Sequence, residues 1–116
     1  MSEIIEQNKI PRRSLYDGTT VPAVGMGTFG SDKYGPEQIA EAVYGGIRAG
    51  YRLIDCASVY MNEDKIGESL SRVLKEGVVK REELFITSKV WNDMHAEGKV
   101  LESCEKSLKD LQLSYI

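Results

Sequence analysis

Asp55, Tyr60 and Lys89 are the residues of this chain whose types and spacing suit proton chemistry. Asp55 closes the apolar run "YRLIDCA", Tyr60 follows in the next loop, and Lys89 shares the alternation of Phe85 and Thr87 in "ELFITSKV". An unperturbed phenol titrates near about 10, so at neutral pH it holds a proton that it can give to a developing alkoxide, and a neighbouring ammonium eases that transfer. A buried lysine or aspartate alone is costly, whereas an Asp–Lys pair beside a phenol shares charge and hydrogen bonds. Taken singly, each residue also has an ordinary reading: a turn-forming aspartate, a packed tyrosine, a solvated lysine. Convergence of the three is what would make a site.

The elements that must bring them together follow from periodicity. "SLYDGTTVP" sets Asp17-Gly18 between two strand-like runs, the signal of a two-residue hairpin turn. "VPAVGM" reads as a strand, and Pro36–Ala49 as an amphipathic helix with Ile39, Val43 and Ile47 on one face and proline in its first turn. "YRLIDCA" is the second strand. Asn62 caps a helix with Glu63 and Asp64 in its first turn and Ile66, Leu70, Val73 and Leu74 inward. "ELFITSKV" is the third strand, followed by a helix near Gly98–Leu111 with Leu101, Cys104, Leu108 and Leu111 on its inner face. A last apolar run, "LSYI", reads as the start of a fourth strand.

Strand-plus-helix units of roughly 30 residues predict a parallel sheet, either an open doubly wound one or a (β/α)8 barrel. "GMGTFG", Gly25–Gly30, matches the G-x-G-x-x-G of dinucleotide folds, with Asp55 placed as the acid further on. In such folds the third glycine lies in the opening turn of the helix. Here "SDKYGP" intervenes, so the helix starts about five residues too late, and Pro22 suits a central first strand poorly. Gly25 and Gly27 are better explained by a strand end that packs closely against a neighbour.

Composition narrows the partners. The chain has 116 residues, enough for one domain, with 41% hydrophobic residues and a formal charge of -3. Its lysines and arginines are scattered, which argues against nucleic acid. Cys56 and Cys104 lack a metal-ligand spacing and read as free thiols of a reducing compartment. "MSEIIEQNKIPRR" has no signal-peptide character, and nowhere do 18 apolar residues run together, so no membrane partner and a cytoplasmic location are expected.

"GYRLIDCASVYMNEDKIGESL" closely resembles the first signature of the aldo-keto reductases, G-Y-R-x-I-D-x-A-x-x-Y-x-N-E-x-x-x-G. "LFITSKVWN" resembles that family's lysine strand and "LYDGTTVPAVGMGTF" its opening hairpin and first barrel strand. The resemblance implies an α/β fold: the N-terminal part of a TIM barrel plugged by a β-hairpin over 14–22, with three βα units and the start of strand four over 24–116. It implies hydride transfer from NADPH, less often NADH, to the carbonyl of an aldehyde or ketone, without a dinucleotide-fold motif. Asp55, Tyr60 and Lys89 fall on three of the family's four catalytic positions, Tyr60 as general acid. Gly27, Thr28, Phe29 and Asp55 would border the nicotinamide, Trp91 would wall the substrate pocket, and Val59 and Met61 would help to shape it. No metal is implied.

The family's fourth catalytic residue, a histidine just after strand four, has no counterpart here; His95 follows strand three and reads as a solvated loop residue. A full barrel needs about 250 residues, so strand four is expected to be cut short and the sheet edges left open. These 116 residues alone are expected to be inactive; they are either an assembly module that completes a barrel with another chain or copy, or, the blander reading, a piece of an ordinary full-length reductase.

Overall fold

A computed structural model describes residues 3–6 and 9–116. Four residues of the N-terminal stretch read above, Met1, Ser2, Gln7 and Asn8, lie outside the described residues. The hairpin pairs β1 (Arg12–Ser14) antiparallel with β2 (Thr20–Pro22), Arg12 opposite Pro22. It begins two residues earlier than the sequence suggests, and its turn is longer. The Leu15 N–H reaches the Thr19 carbonyl at 2.7 Å, and the Gly18 N–H folds back on Leu15 O at 3.0 Å. Gly18 has φ +90°, while Tyr16 and Asp17 keep ordinary negative φ. A two-residue type I′ turn needs positive φ at both central positions, so the loop is instead a three-residue one with its left-handed residue supplied by glycine. Asp17 Oδ1 secures it by accepting from the Thr19 N–H and hydroxyl at 3.0 and 2.7 Å.

Three short parallel strands follow in sequence order: β3 (Gly25–Gly27), β4 (Leu53–Asp55) and β5 (Phe85–Thr87). Their register aligns Met26, Ile54 and Ile86 in one row and Gly27, Asp55 and Thr87 in the next. Side chains alternate across a strand, so the two rows face opposite ways. The first row meets the helices α1 (Pro36–Ala49) and α2 (Glu63–Lys75), where Val43, Ile47, Ile66, Leu70 and Val73 close the core around Ile54 and Ile86. The second row ends at the carboxyl edge of the sheet, where the loops bearing Tyr60 and Lys89 begin.

The helix α1 starts at Pro36, and the N–H of its cap Gly35 is taken by Gln38 Oε1 at 3.0 Å. "GMG" is the strand β3 itself, so the glycine pattern is not the opening of a helix. Gly25 gives close packing: a Cβ there would sit 2.5 Å from the Leu53 Cδ2 methyl and 3.2 Å from its Cβ, so the Leu53 side chain would have to shift. Gly27 differs from the expectation, since a Cβ there would meet nothing within 4 Å; it leaves open space at the strand end instead of packing against a neighbour.

The last helix, α3 (Lys99–Leu111), buries Ser103, Ser107 and Leu111. Leu101, expected inward, is exposed, and Cys104 and Leu108 are only partly covered. The reason is a close helix crossing. A Cβ on Gly67 of α2 would lie 2.1 Å from the Asp110 carbonyl oxygen, so the two backbones touch and only small side chains fit between them. The expected fourth strand does not pair with β5: after a left-handed turn at Gln112 (φ 59°), Arg81 donates to Tyr115 O at 2.7 Å with its guanidinium over the Tyr115 ring. Among the described residues no helix is long and apolar enough to cross a membrane.

Candidate active site

At the carboxyl edge of the sheet one ammonium meets three acceptors. Lys89 Nζ lies 3.0 Å from Asp55 Oδ1, 3.2 Å from Tyr60 Oη and 2.9 Å from the Cys56 carbonyl oxygen. Asp55 ends β4, Tyr60 closes the short 3-10 turn Ser58–Tyr60, and Lys89 stands two residues past the end of β5, on the face of Thr87. Tyr60 packs on Phe29, ring centroids 5.1 Å apart, and the Lys89 ammonium lies 5.0 Å from the Tyr60 ring centroid. The three residues singled out in the sequence are thus brought together. Their carboxylate, ammonium and phenol remain partly open to solvent, as a site that receives a substrate requires.

The electrostatics are set by neighbours. The Thr87 hydroxyl donates to Asp55 Oδ1 at 2.6 Å and is the main reason that the Asp55 carboxyl lies below the usual carboxylate range; burial opposes the shift and Lys89 adds to it. For Lys89 burial is the largest single influence and acts downward, yet the bonds and charges of Asp55 and Tyr60 together outweigh it and raise the ammonium above its ordinary value. The pair therefore holds its charged form. Cys56 takes no part in such chemistry: burial first, then the nearby Glu63, push its thiol up to about 12.

The loop after β3 is locked to the site from within. Thr28 is 1% exposed and its hydroxyl donates to the Asp55 carbonyl oxygen at 2.9 Å. The Thr28 side chain is therefore spent on the fold, and only its backbone borders the mouth. Asn62 sits at the N-cap of α2, but its side chain does not cap the helix; Nδ2 donates to Thr28 O at 2.8 Å. Gly27 presents its open space beside Asp55, and Phe29 is 67% exposed beside Tyr60.

Phe29, Tyr34, Val59, Tyr60 and Met61 line a pocket of about 470 Å³ next to the phenol. Trp91 is half-exposed and its backbone caps the turn Asn92–Met94; it is not among the ring contacts of Tyr60 in the described residues. His95 is exposed with Nε2 3.4 Å from Val90 O, outside the cluster. Thr87, Asn62 and Glu63 are contributors that the sequence did not single out for the site. The signal for Thr87 was its alternation with Lys89.

The aldo/keto reductase family profile matches residues 23–116. An NAD(P)H-dependent D-xylose reductase of Pachysolen tannophilus is 46% identical over 102 residues, 88% of this chain and 30% of that protein. Aldose reductase C of Dictyostelium discoideum is 41% identical, covering 88% of this chain and 31% of its own length. The crystal structure of a Bombyx mori aldo-keto reductase in complex with NADP superposes with a TM-score of 0.86 at 42% identity, over 92% of this chain and 36% of that one. The chain thus spans about a third of the length of these relatives. The superposition bears out the α/β fold read from the sequence, the N-terminal part of a barrel that three strands leave unclosed.

Proposed function

The chain belongs to the aldo/keto reductase family, and on that premise we propose that it supplies the proton-donating part of a carbonyl reductase site that works with NADPH, or less often NADH. The observation that carries this reading is the Lys89 ammonium shared between Asp55 and Tyr60. When bound, the cofactor supplies a hydride to the carbonyl carbon of an aldehyde or ketone. Tyr60 gives its phenolic proton to the carbonyl oxygen. Lys89, 3.2 Å away, stabilises the negative charge left on Tyr60, and Asp55 keeps that ammonium in place and charged.

The mouth of the sheet fits a nicotinamide. Gly27 leaves space that a Cβ would fill, and Phe29 and Asp55 border it with exposed surface, while Thr28 contributes through its backbone. The pocket beside Tyr60 takes the body of a small carbonyl substrate against Phe29, Val59 and Met61; Trp91, half-exposed and outside that lining, serves as a further wall only for a substrate that reaches past it. The unpaired cysteines Cys56 and Cys104 suit the reducing cytoplasm. The 116 residues alone, with three strands and no histidine in the cluster, bind NADPH weakly and turn over no carbonyl.

Grafting residues 23–116 in place of the matching third of the Bombyx mori enzyme tests the reading. The chimera should reduce D-xylose or an aromatic aldehyde with NADPH, and Tyr60→Phe should lower kcat by about a hundredfold to ten thousandfold. A folded, NADPH-binding chimera that is inactive, or one whose Tyr60→Phe variant keeps its rate, sinks the proposal.

A further inference from the structure

Among the described residues Glu63 is the buried carboxylate, 3% exposed. It opens α2, where the helix dipole favours an anion, but that benefit is available at the surface and does not account for burial. Burying a carboxylate is expensive unless its oxygens are paired. Each oxygen of Glu63 has one serine: Ser88 Oγ donates to Oε2 at 2.7 Å, and Ser107 Oγ donates to Oε1 at 2.8 Å. The two serine oxygens lie 3.4 Å apart, each spending its one proton on the carboxylate, so Glu63 is the group that links them.

What this network joins is informative. Glu63 follows the loop that carries Tyr60, and Ser88 immediately precedes Lys89. The β4–β5 pairing ends at Thr87, whose carbonyl oxygen accepts the Cys56 N–H at 2.8 Å. Beyond that point the strand end is held by side chains, by Glu63 on Ser88 and by a longer 3.5 Å contact from Ser58 Oγ to Lys89 O. Lysine has a long stem with large rotamer entropy, so three simultaneous acceptors hold Nζ only if the backbone origin of the side chain is fixed. Ser88 alternates to the side opposite Lys89, and tying it down fixes that origin without entering the mouth.

We propose that Glu63 is a positioning residue for carbonyl reduction, acting through Ser88 to hold Lys89 within reach of Asp55 and Tyr60. The inference rests on the catalytic reading given above, since it assigns importance to the Lys89–Tyr60 contact. The two arms of the network have different duties. The Ser88 arm sets Lys89, and the Ser107 arm seats α3 on α2.

Ring-current shifts of the Lys89 εCH₂ over Tyr60, measured by NMR on the 116-residue chain, test it independently of turnover. Glu63→Ala and Ser88→Ala should at least halve the shift, an order-of-magnitude expectation for a side chain released from its contact. Glu63→Gln should retain it, because a carboxamide accepts from one serine and donates to the other. Ser107→Ala should retain it as well, despite removing an equivalent buried hydrogen bond. In the grafted chimera Ser88→Ala should lower kcat about tenfold with KM within about twofold. Folded Glu63→Ala and Ser88→Ala chains with the full shift overturn the proposal, as does an equal loss in Ser107→Ala, which would make the network merely structural. If Glu63→Ala does not fold, Ser88→Ala decides, since it leaves Glu63 bonded to Ser107. A parent chimera that reduces nothing removes the reductase reading, while the NMR result still judges the positioning.

Discussion

The Thr87 hydroxyl donates at 2.6 Å to Asp55 Oδ1, the same oxygen that the Lys89 ammonium reaches at 3.0 Å. Two donors of different kinds thus share one carboxylate oxygen, and the bond from the neutral one is the largest single influence on its titration, with the bond and the charge of Lys89 adding to it. Thr87→Val keeps the branched shape and removes that donor. The Asp55 carboxyl should then titrate higher, towards the ordinary value of about 3.9. NMR titration of its side-chain carbon reads this directly, and an unmoved midpoint would show that Lys89 alone holds the ion.

The same pair fixes the sign of a stability effect. Asp55 titrates below its unfolded value in the folded chain, so its contribution is fully present above the ordinary carboxylate pKa and is lost as pH falls through the lower folded value. Unfolding midpoints in urea should therefore decline on the acid side, and less so in Thr87→Val than in the parent. Lys89 is raised, so its contribution is present below about 10.4 and fades as pH climbs through the higher folded value. Both side chains are nearly half open to solvent, which keeps the ion pair within the ~1 kcal/mol of exposed pairs.

What the sequence disclosed and what it withheld divide along the range of the interactions. Pro36–Ala49, the cap position of Asn62 and the convergence of Asp55, Tyr60 and Lys89 follow from period, capping residues and strand-end placement, all local signals. The inward face of α3 was not legible, because Leu101 looks more apolar than Ser103 or Ser107, and only the contact across Gly67 makes the small residues the buried ones. Glu63 reads locally as a first-turn acid and no more; its burial depends on Ser88 and Ser107 arriving from elements far along the chain. The Thr28 hydroxyl is taken by the Asp55 carbonyl oxygen, a bond between the ends of two neighbouring strands that no spacing reveals.

Asn62 supplies a second test of the interior polar framework. Its Nδ2 donates to Thr28 O at 2.8 Å, both residues being buried. Asn62→Asp would set a carboxylate oxygen against a carbonyl oxygen and leave both without a donor, at a cost of about 1–3 kcal/mol. Asn62→Ala removes the clash but leaves Thr28 O unpaired and should be milder. Urea denaturation ranks the two, and equal stability of the Asp variant and the parent would refute the role of this bond.

The cysteines should differ in reactivity. Cys56 is fully buried with its thiol pushed up to about 12, whereas Cys104 is partly exposed on α3. Since the thiolate is the reacting form, a thiol reagent applied to the folded chain should label Cys104 first and Cys56 only on unfolding. Peptide mapping after brief labelling decides this, and early modification of Cys56 would mean that the strand end carrying Asp55 opens readily.

Gly67 tests the crossing on which the inward face of α3 depends. A Cβ at this position would lie 2.1 Å from Asp110 O and 3.0 Å from the Leu111 Cα, and both obstacles are backbone atoms that cannot rotate aside. Gly67→Ala must push α3 off α2, which stretches the bond from Ser107 to Glu63 and uncovers Leu111. Helix propensity alone would favour alanine by about 1 kcal/mol, so the sign of the measured change discriminates between the two effects. Overpacking costs about 1–3 kcal/mol, and the loosened network adds to it, so net destabilisation is expected in urea denaturation. Gly27→Ala is the control, because a Cβ there meets no atom within 4 Å and should leave stability nearly unchanged. A Gly67→Ala chain at least as stable as the parent would show that the two helices do not touch as described, and the placement of Ser107 on Glu63 would fall with it.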